Sequence, residues 1–569
     1  MKTHRTFLAL LAIVSLPVLA HAAPYNRPVC VEPGAQSLSM AIPDGVGGTI
    51  VVWSDHRGPD ADIYAQRMNA AGDMLWPLNG VPICTAVNDQ TGPELVSDAA
   101  GGAIIVWNDM RAGEWFDVNW PSPDIYAQRI DANGNVLWAT DGVAICTADY
   151  GQQGARITSD GAGGAFITWG DDRNGPEWQW PIPRLYMQHI NASGQAQWTE
   201  NGVSPCDGCD AWGNTAVVPD GSGGAIVTWS NLYAQRVDAS GNPAWTASGV
   251  IVSSIGGAEN QSVIPCGNGG AIIAWDASRT INGTSAYHIY AQCLDGSGTP
   301  LWTANGVPLC EAATGQFSPR IVSDGAGGAI VTWDDLRNVW FDIYAQRVDA
   351  NGAMQWQTDG IPVCMAGGDQ EAPDIASDNA GGAIISWQDY RTGQTSQYWD
   401  IYAQRVDGSG TAQWTPGGIP ISTAPDAQRA PIVASDGNHG AFITWTDRRS
   451  GSDDDVYGQH VDGSGQLITA VGGSVPAAHV VVGESRPNPF SDGMAVDVTL
   501  DRAAAVSIDV FDVAGHRVRT LNAGRLDAGV TRLTFDGRDD HAHALPSGVY
   551  FYRVHAGADV VTKKMVIAR

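Results

Sequence analysis

Residues Ser323 to Trp356 read SDGAGGAIVTWDDLRNVWFDIYAQRVDANGAMQW, and edited copies of this stretch recur eight times between Pro24 and about Thr469. Its fixed points are a GGA-x-x-x-W run, an IYAQR run, and a D-x-x-G turn followed by Trp. The Trp closing the first run recurs as Trp53, Trp107, Trp169, Trp229, Trp275, Trp333, Trp387 and Trp445. Self-similarity at this period means stacked supersecondary units, none of which buries its own faces alone. Within the sixth copy, PRIVSD, AIVTW, DIYAQRVD and AMQW with the following GIPVC parse as four short strands. The alternation inside AIVTW and IYAQRV gives each strand two different faces. D-A-N-G and D-G-S-G turns between the third and fourth strands tolerate positive φ and suit hairpins. Four antiparallel strands per repeat, with no helical segment between, describe a blade. The expectation is an all-β fold: an eight-bladed β-propeller of four-stranded blades.

Spacing supports this. The second Trp of each repeat precedes a Cys or Ser by eight residues, as in Trp76 to Cys84, Trp138 to Cys146, Trp245 to Ser253 and Trp414 to Ser422. From that residue to the Asp before the Gly pair is fourteen in seven repeats and thirteen in one. Length varies only between the second and third strands, so insertions project from one face of the disc. The repeat region opens in mid-unit, with Pro28-Val29-Cys30 matching Pro82-Ile83-Cys84, and it fades after Thr469. Residues Val29 to Glu32 are therefore expected to complete the last blade.

The net charge of −29 is uneven. Residues from 480 onward hold 11 acidic and 11 basic side chains, and the leader adds Lys2 and Arg5. The repeats carry the remaining 49 acidic and 18 basic groups, none of them lysine. Such a surface repels nucleic acid and anionic lipid, so neither is an expected partner. Residues 1–22 read as a signal peptide: Lys2, His4 and Arg5, then apolar Phe7 to Leu19, then Ala20-His21-Ala22. No later stretch reaches the ~20 apolar residues of a membrane span. The destination is secretion or the outer cell surface, where disulfides form.

The propeller is assigned to 24–475 and a linker to 476–483, within a stretch that changes composition from Ala470. Residues 484–569 form a small Ig-like β-sandwich with six alternating strands. Pro487-Asn488-Pro489-Phe490, the VFDVAGHRVRTL run from Val510, AGVTRLTFDGRD from Ala528, and LPSGVYFYRV followed by KKMVIAR carry a resemblance. This region resembles the flagellar hook-cap (FlgD)-like Ig domain used as a C-terminal sorting domain by type IX secretion cargo. The resemblance implies contact with outer-membrane secretion machinery. The repeat resembles the propeller repeats of the Tol-system periplasmic protein, through Ser323-Asp324-Gly325, Asp335 with Arg337, and Asp342-Ile343-Tyr344. That likeness speaks to fold and not to function.

The Asp before the Gly pair and the Arg ending IYAQR are expected to meet as Asp44/Arg67, Asp98/Arg129, Asp220/Arg236, Asp324/Arg347 and Asp378/Arg405, with His189 and His460 in the Arg position twice. One repeat has Cys266 and Cys293 in these two places, and a disulfide is expected there; closing that loop stabilises by about 3–4 kcal/mol. Cys30, Cys84, Cys146, Cys206, Cys310 and Cys364 share one slot on different blades and read as small buried fillers. Cys206 and Cys209 form a local bridge or half a metal site, and no second pair completes a zinc set.

Aromatic residues outside the repeat pattern are candidates for ligand binding: Trp115, Phe116, Trp120, Trp178, Trp180, Trp340, Phe341, Tyr398 and Trp399 in the variable link, and Trp212 in the link to the next blade. They either stack on sugar rings or an apolar partner, or fold back as lids over blade edges. No catalytic residue, metal ligand set or cofactor is assigned; Ca²⁺ is the one ion the acidic loops leave open, without the D-x-D-x-D-G spacing of a dedicated site. The expected protein is a monomeric, non-enzymatic binder of an extracellular glycan or protein ligand. An extracellular polysaccharide hydrolase or lyase is the alternative, and a structural envelope component the third. An enzyme requires polar residues unique to one or two blades and converging on the channel mouth.

Overall fold

The computed structural model describes residues 26–112, 122–174, 182–211, 215–267, 269–281, 283–391, 398–451, 453–468, 480–483, 485–500, 504–513, 516–526, 529–540, 543–556 and 559–569. All its regular elements are strands. Between Arg27 and Val461 they form eight antiparallel sheets in a blade-like arrangement. Sheet six is representative: Gln316–Ser323, Ala329–Asp335, Asp342–Val348 and Ile361–Cys364, paired in sequence order. The first strand of each sheet packs against the first strand of the next, and Gln428–Ser435 of sheet eight returns to Gln36–Pro43 of sheet one. The series therefore closes on itself.

The second strand of each sheet is apolar on both faces because it lies between neighbouring sheets. Its Trp is buried in all eight. Burying an indole is favourable only if its N–H keeps a partner. In six sheets that partner is an Asp two residues later, as in Trp333 Nε1 to Asp335 Oδ2 at 2.8 Å. The Arg two residues further on holds the same carboxylate from both sides, with Arg337 Nε to Oδ1 at 2.8 Å and Nη2 to Oδ2 at 2.6 Å. Its guanidinium lies 3.8 Å from the centre of the Tyr344 ring. The same Nη2 reaches the Asp359 carbonyl in its own sheet and Cys310 Sγ in the preceding one, at 2.7 and 3.1 Å. Arg57, Arg111, Arg173, Arg391 and Arg449 repeat this pin. Cys30, Cys84, Cys146, Cys310 and Cys364 of the shared slot are thus buried fillers that also face an arginine. Burial pushes the thiols of Cys84, Cys146 and Cys310 up to about 12, so they stay protonated.

The expected ion pairs at the opposite turn are present. Arg67–Asp44, Arg129–Asp98, Arg347–Asp324 and Arg405–Asp378 each close at 2.9 Å, and Arg236–Asp220 at 2.8 Å. His189 and His460 take the Arg role against Asp160 and Asp436.

The ring is sealed by the N-terminal segment. Arg27–Cys30 pairs antiparallel with Asp455–Val461 and completes sheet eight. The Asn26 side chain accepts from Arg449 Nη2 at 3.0 Å and from Ser422 Oγ at 2.9 Å, standing where a loop carbonyl stands in the other sheets. On the other side, Arg57 Nη2 meets Cys30 Sγ at 3.2 Å.

Not every sheet has four strands. Sheet three has Gln152–Ser159, Ala165–Asp171 and Arg184–Ile190 only. The stretch read as its fourth strand holds single bridges at Val203 and Asp210 instead. Between them lie Pro205, which has no N–H to give, and a Cys206–Cys209 disulfide. Sheet four has no arginine pin to meet Cys206, and Cys206 is bonded to Cys209. Sheet five also lacks the pin: Ala277 stands where Asp belongs, and Trp275 Nε1 is buried without a partner. In that same sheet Cys266 and Cys293 replace the turn ion pair, their sulfurs 3.2 Å apart as thiols.

The C-terminal domain packs a three-stranded sheet against a four-stranded one over an apolar core including Val498, Val510, Tyr552 and Met565. Val480–Val482, in the stretch read as linker, pairs with Met494–Leu500 and belongs to this domain.

Two predictions follow from the closure and the cysteines. Removing residues 26–31 exposes the edge of sheet eight and deletes two fully buried side chains, each contributing about 1.5–3 kcal/mol. Thermal melting of that variant should begin about 6–24 °C lower, at roughly 2–4 °C per kcal/mol. Cys266 and Cys293 are proposed to be joined in the exported protein. Non-reducing peptide mapping should recover them as one linked pair, and recovery as two free thiols would refute the bond.

Candidate functional site

The inner strands carry a bulge three residues into the repeat. Pairing shifts register between Phe317 and Arg320, Glu371 and Asp374, and Arg429 and Ile432. At the bulge Ser318, Ala372 and Ala430 adopt φ of 56°, 52° and 49°, whereas sheets two and three use Gly92 and Gly154. Each non-glycine residue there costs about 1–2 kcal/mol of left-handed strain. The three strained residues lie together on one cavity of about 460 Å³.

That cavity is bounded by the first strands of sheets six, seven and eight, with Asp334 from the second strand of sheet six and Phe341 from its variable link. It therefore sits on the link-bearing face, against the innermost strands. Arg320, Glu371 and Asp374 bring charge to its walls, and Phe317 and Phe341 bring aromatic surface. The two rings meet edge to face with centroids 6.1 Å apart.

These charges break the repeat. The residues four before the repeated Asp are Met40, Glu94, Arg156, Ala216, Ser262, Arg320, Asp374 and Ile432, at one level of the inner wall. In sheets two and three the pair closes, Arg156 Nη1 lying 2.6 Å from Glu94 Oε1. In sheets six and seven the order is reversed and the acid is a methylene shorter. Asp374 Oδ2 instead accepts the Val433 N–H at 2.8 Å. A space is left between the groups.

Asp334 is 8% exposed, and its Oδ1 has no hydrogen-bond partner. Burial, then the Glu371 charge, push its carboxyl up to about 8, against the opposing pull of the Ala372 N–H, Arg320 and the Ser318 hydroxyl. Burial also raises Glu371, with Asp369 adding to it. Asp374 is raised by burial, opposed by Val433 N–H and Arg320. Around neutral pH the cleft thus holds one protonated carboxyl beside further acids and a cation.

Of the aromatic candidates, the structure places four. Phe341 lines the cleft. Trp399 packs on Tyr390 with centroids 5.4 Å apart and so folds back. Trp340 and Tyr398 are 50% and 39% exposed. Trp115, Phe116, Trp120, Trp178, Trp180 and Trp212 lie outside the described residues. Sequence reasoning missed Arg320, Asp334, Glu371 and Asp374. Their signal was charge at positions where the other repeats put varied, mostly uncharged residues.

With this geometry in hand, comparison with known proteins is informative for one domain. Residues 488–559 match the FlgD Ig-like domain family. The C-terminal sandwich is thus the one its motifs resembled. No curated protein matches the chain. Among solved structures, a protein of unknown function from Dyadobacter fermentans is 10% identical over 76% of this chain and 97% of its own, with a TM-score of 0.35. PorZ, a surface component of the type IX secretion system of Porphyromonas gingivalis, is 10% identical over 94% of this chain and 82% of its own, at 0.33. FlgD from P. aeruginosa is 22% identical over 16% of this chain and 74% of its own, at 0.13. At these scores none of them bears on what the cleft does. No helix among the described residues is long and apolar enough to cross a membrane.

The raised Asp334 has a stability signature. A carboxyl with a raised folded value favours the fold below its unfolded value near 4, and that contribution is lost as pH rises through about 8. Between pH 7 and 9 the wild-type melting temperature should fall by a few degrees more than that of Asp334→Asn. Equal falls in both proteins would show that Asp334 ionises at an ordinary pH.

Proposed function

We propose that this chain is an exported eight-bladed propeller, secreted or held at the outer cell surface, that binds a saccharide in the cleft of sheets six to eight. The observation that carries this is the pairing of Phe317 and Phe341 with Arg320, Glu371, Asp374 and the largely buried Asp334 around one cavity. A sugar ring offers C–H faces that pack on aromatic rings and hydroxyls that bond to carboxyl and guanidinium groups. The FlgD-like Ig domain serves export, as the sorting-domain resemblance implies, through outer-membrane secretion machinery. A protein ligand on the same face is the second reading, favoured by exposed Val339 and Trp340 beside the cleft.

Screening the full chain on a glycan array, followed by titration calorimetry, tests the proposal. Wild type should bind at least one glycan class, and Phe341→Ala should weaken it about tenfold, equivalent to 1.4 kcal/mol. Trp399→Ala, away from the cavity, should leave affinity within twofold. Failure of wild type to bind any glycan would overturn the saccharide reading.

A further inference from the structure

The fold itself does not require a carboxyl at position 334. The residues following the buried Trp are Ser54, Asn108, Gly170, Ser230, Asp276, Asp334, Gln388 and Thr446. In two sheets this side chain caps the bulge of the next inner strand. Asp276 Oδ2 accepts the Ser318 N–H at 3.0 Å and Asn260 Nδ2 at 2.8 Å. Gln388 does the capping with a neutral amide, its Oε1 3.4 Å from the Ala430 N. Asp334 faces the Ala372 N–H, which pulls against its raised carboxyl. Its Oδ1, on a side chain more than nine-tenths buried, has no partner, and the residue lines the cavity wall. An amide would face that N–H as well. The acidity is surplus to the fold.

Glu371 shares its acid with Glu259 of sheet five but not with the sheets beside it. Its counterparts in the neighbouring sheets are Phe317 and Arg429, and it stands on the cleft wall within electrostatic reach of Asp334. We infer that this cleft, in the saccharide-binding role proposed above, also cleaves a glycosidic bond, with Asp334 donating a proton and Glu371 receiving one. The Asp334 O–H proton passes to the glycosidic oxygen. The bond from that oxygen to the anomeric carbon breaks, and its electron pair leaves with the alcohol product. A water oxygen adds to the anomeric carbon, and the proton it loses goes to the Glu371 carboxylate. Solvent exchange then returns Asp334 to the acid and Glu371 to the base. The products are a new reducing end and a free alcohol, and water is the sole co-reactant. Pairing a buried protonated acid with a more accessible carboxylate divides the two roles by environment.

Arg320 on sheet six and Glu371 and Asp374 on sheet seven are the charged groups facing Asp334; the lining residues from sheet eight, Ala430, Pro431 and Ile432, do not titrate. Activity should therefore fall as pH rises past about 8, where Asp334 loses its proton.

The test uses the full chain with a soluble xylan, β-glucan, mannan and polygalacturonan, measuring binding and reducing-end release separately. The expected result is release from a polysaccharide that is bound, at least about 100-fold slower in Asp334→Asn and in Glu371→Gln, with binding retained within a few-fold. Glu371→Gln, at a part-exposed position, keeps the test decisive if Asp334→Asn misfolds. Binding without release by wild type would overturn catalysis and leave the binding proposal standing. Release that survives both substitutions would overturn the assigned roles. Absence of binding to all four, with an empty glycan array, would overturn the binding proposal and this inference with it.

Discussion

A bidentate arginine–aspartate pair under a buried tryptophan holds the sheets in their ring. A carboxylate with almost no exposed surface, such as Asp335, is costly unless every lone pair is used. Here the indole N–H and two guanidinium N–H groups use them. The same guanidinium then stacks on a tyrosine and reaches a cysteine in the sheet before, so one charged group fixes three elements at once. Its value lies less in net energy than in angle: sheets packed through apolar faces alone slide, and a fork of five donors does not. The fork is missing in sheets four and five; one cysteine pair, Cys206 and Cys209, stands in the stretch just before sheet four, and another, Cys266 and Cys293, at the turn of sheet five.

Most of this frame was legible in the chain. The Asp/Arg partners at the turn followed from which strand ends meet, and closure near Val29 followed from a unit that opens in its middle, although the strand runs Arg27–Cys30 and not Val29 to Glu32. The arginine after each D-x-R was visible as a motif but not as a pin, because its cysteine partner lies in a neighbouring repeat. The fourth strand of sheet three failed for a local reason: Cys206 and Cys209, three residues apart, close a loop too tight to run as a strand. The cleft was harder to see. Repetition draws attention to what is constant, and Asp334 is adjacent to a constant Asp, so it reads as part of the pattern. Only alignment of the positions after each Trp separates Asp334 from Asp335.

The aromatic loops were the natural place to look for a ligand, and one of them, through Phe341, does reach the cavity. The charged residues of the cavity wall, Arg320, Asp334, Glu371 and Asp374, lie on strands instead. Strain, unpaired charge and broken symmetry coincide around Ser318, Ala372 and Ala430, which is the pattern the proposed binding role would leave.

Closure by the N-terminal strand imposes an order in time. Asn26 meets Arg449 across 423 residues of chain. A segment that emerges first thus waits for nearly the whole ring before it finds its partners. Until then sheet eight has an open edge, and the ends of the array are joined only by contacts of the longest sequence separation, which form slowly. Seven sheets can assemble beside their neighbours as they appear, but the last step is a search between two distant ends.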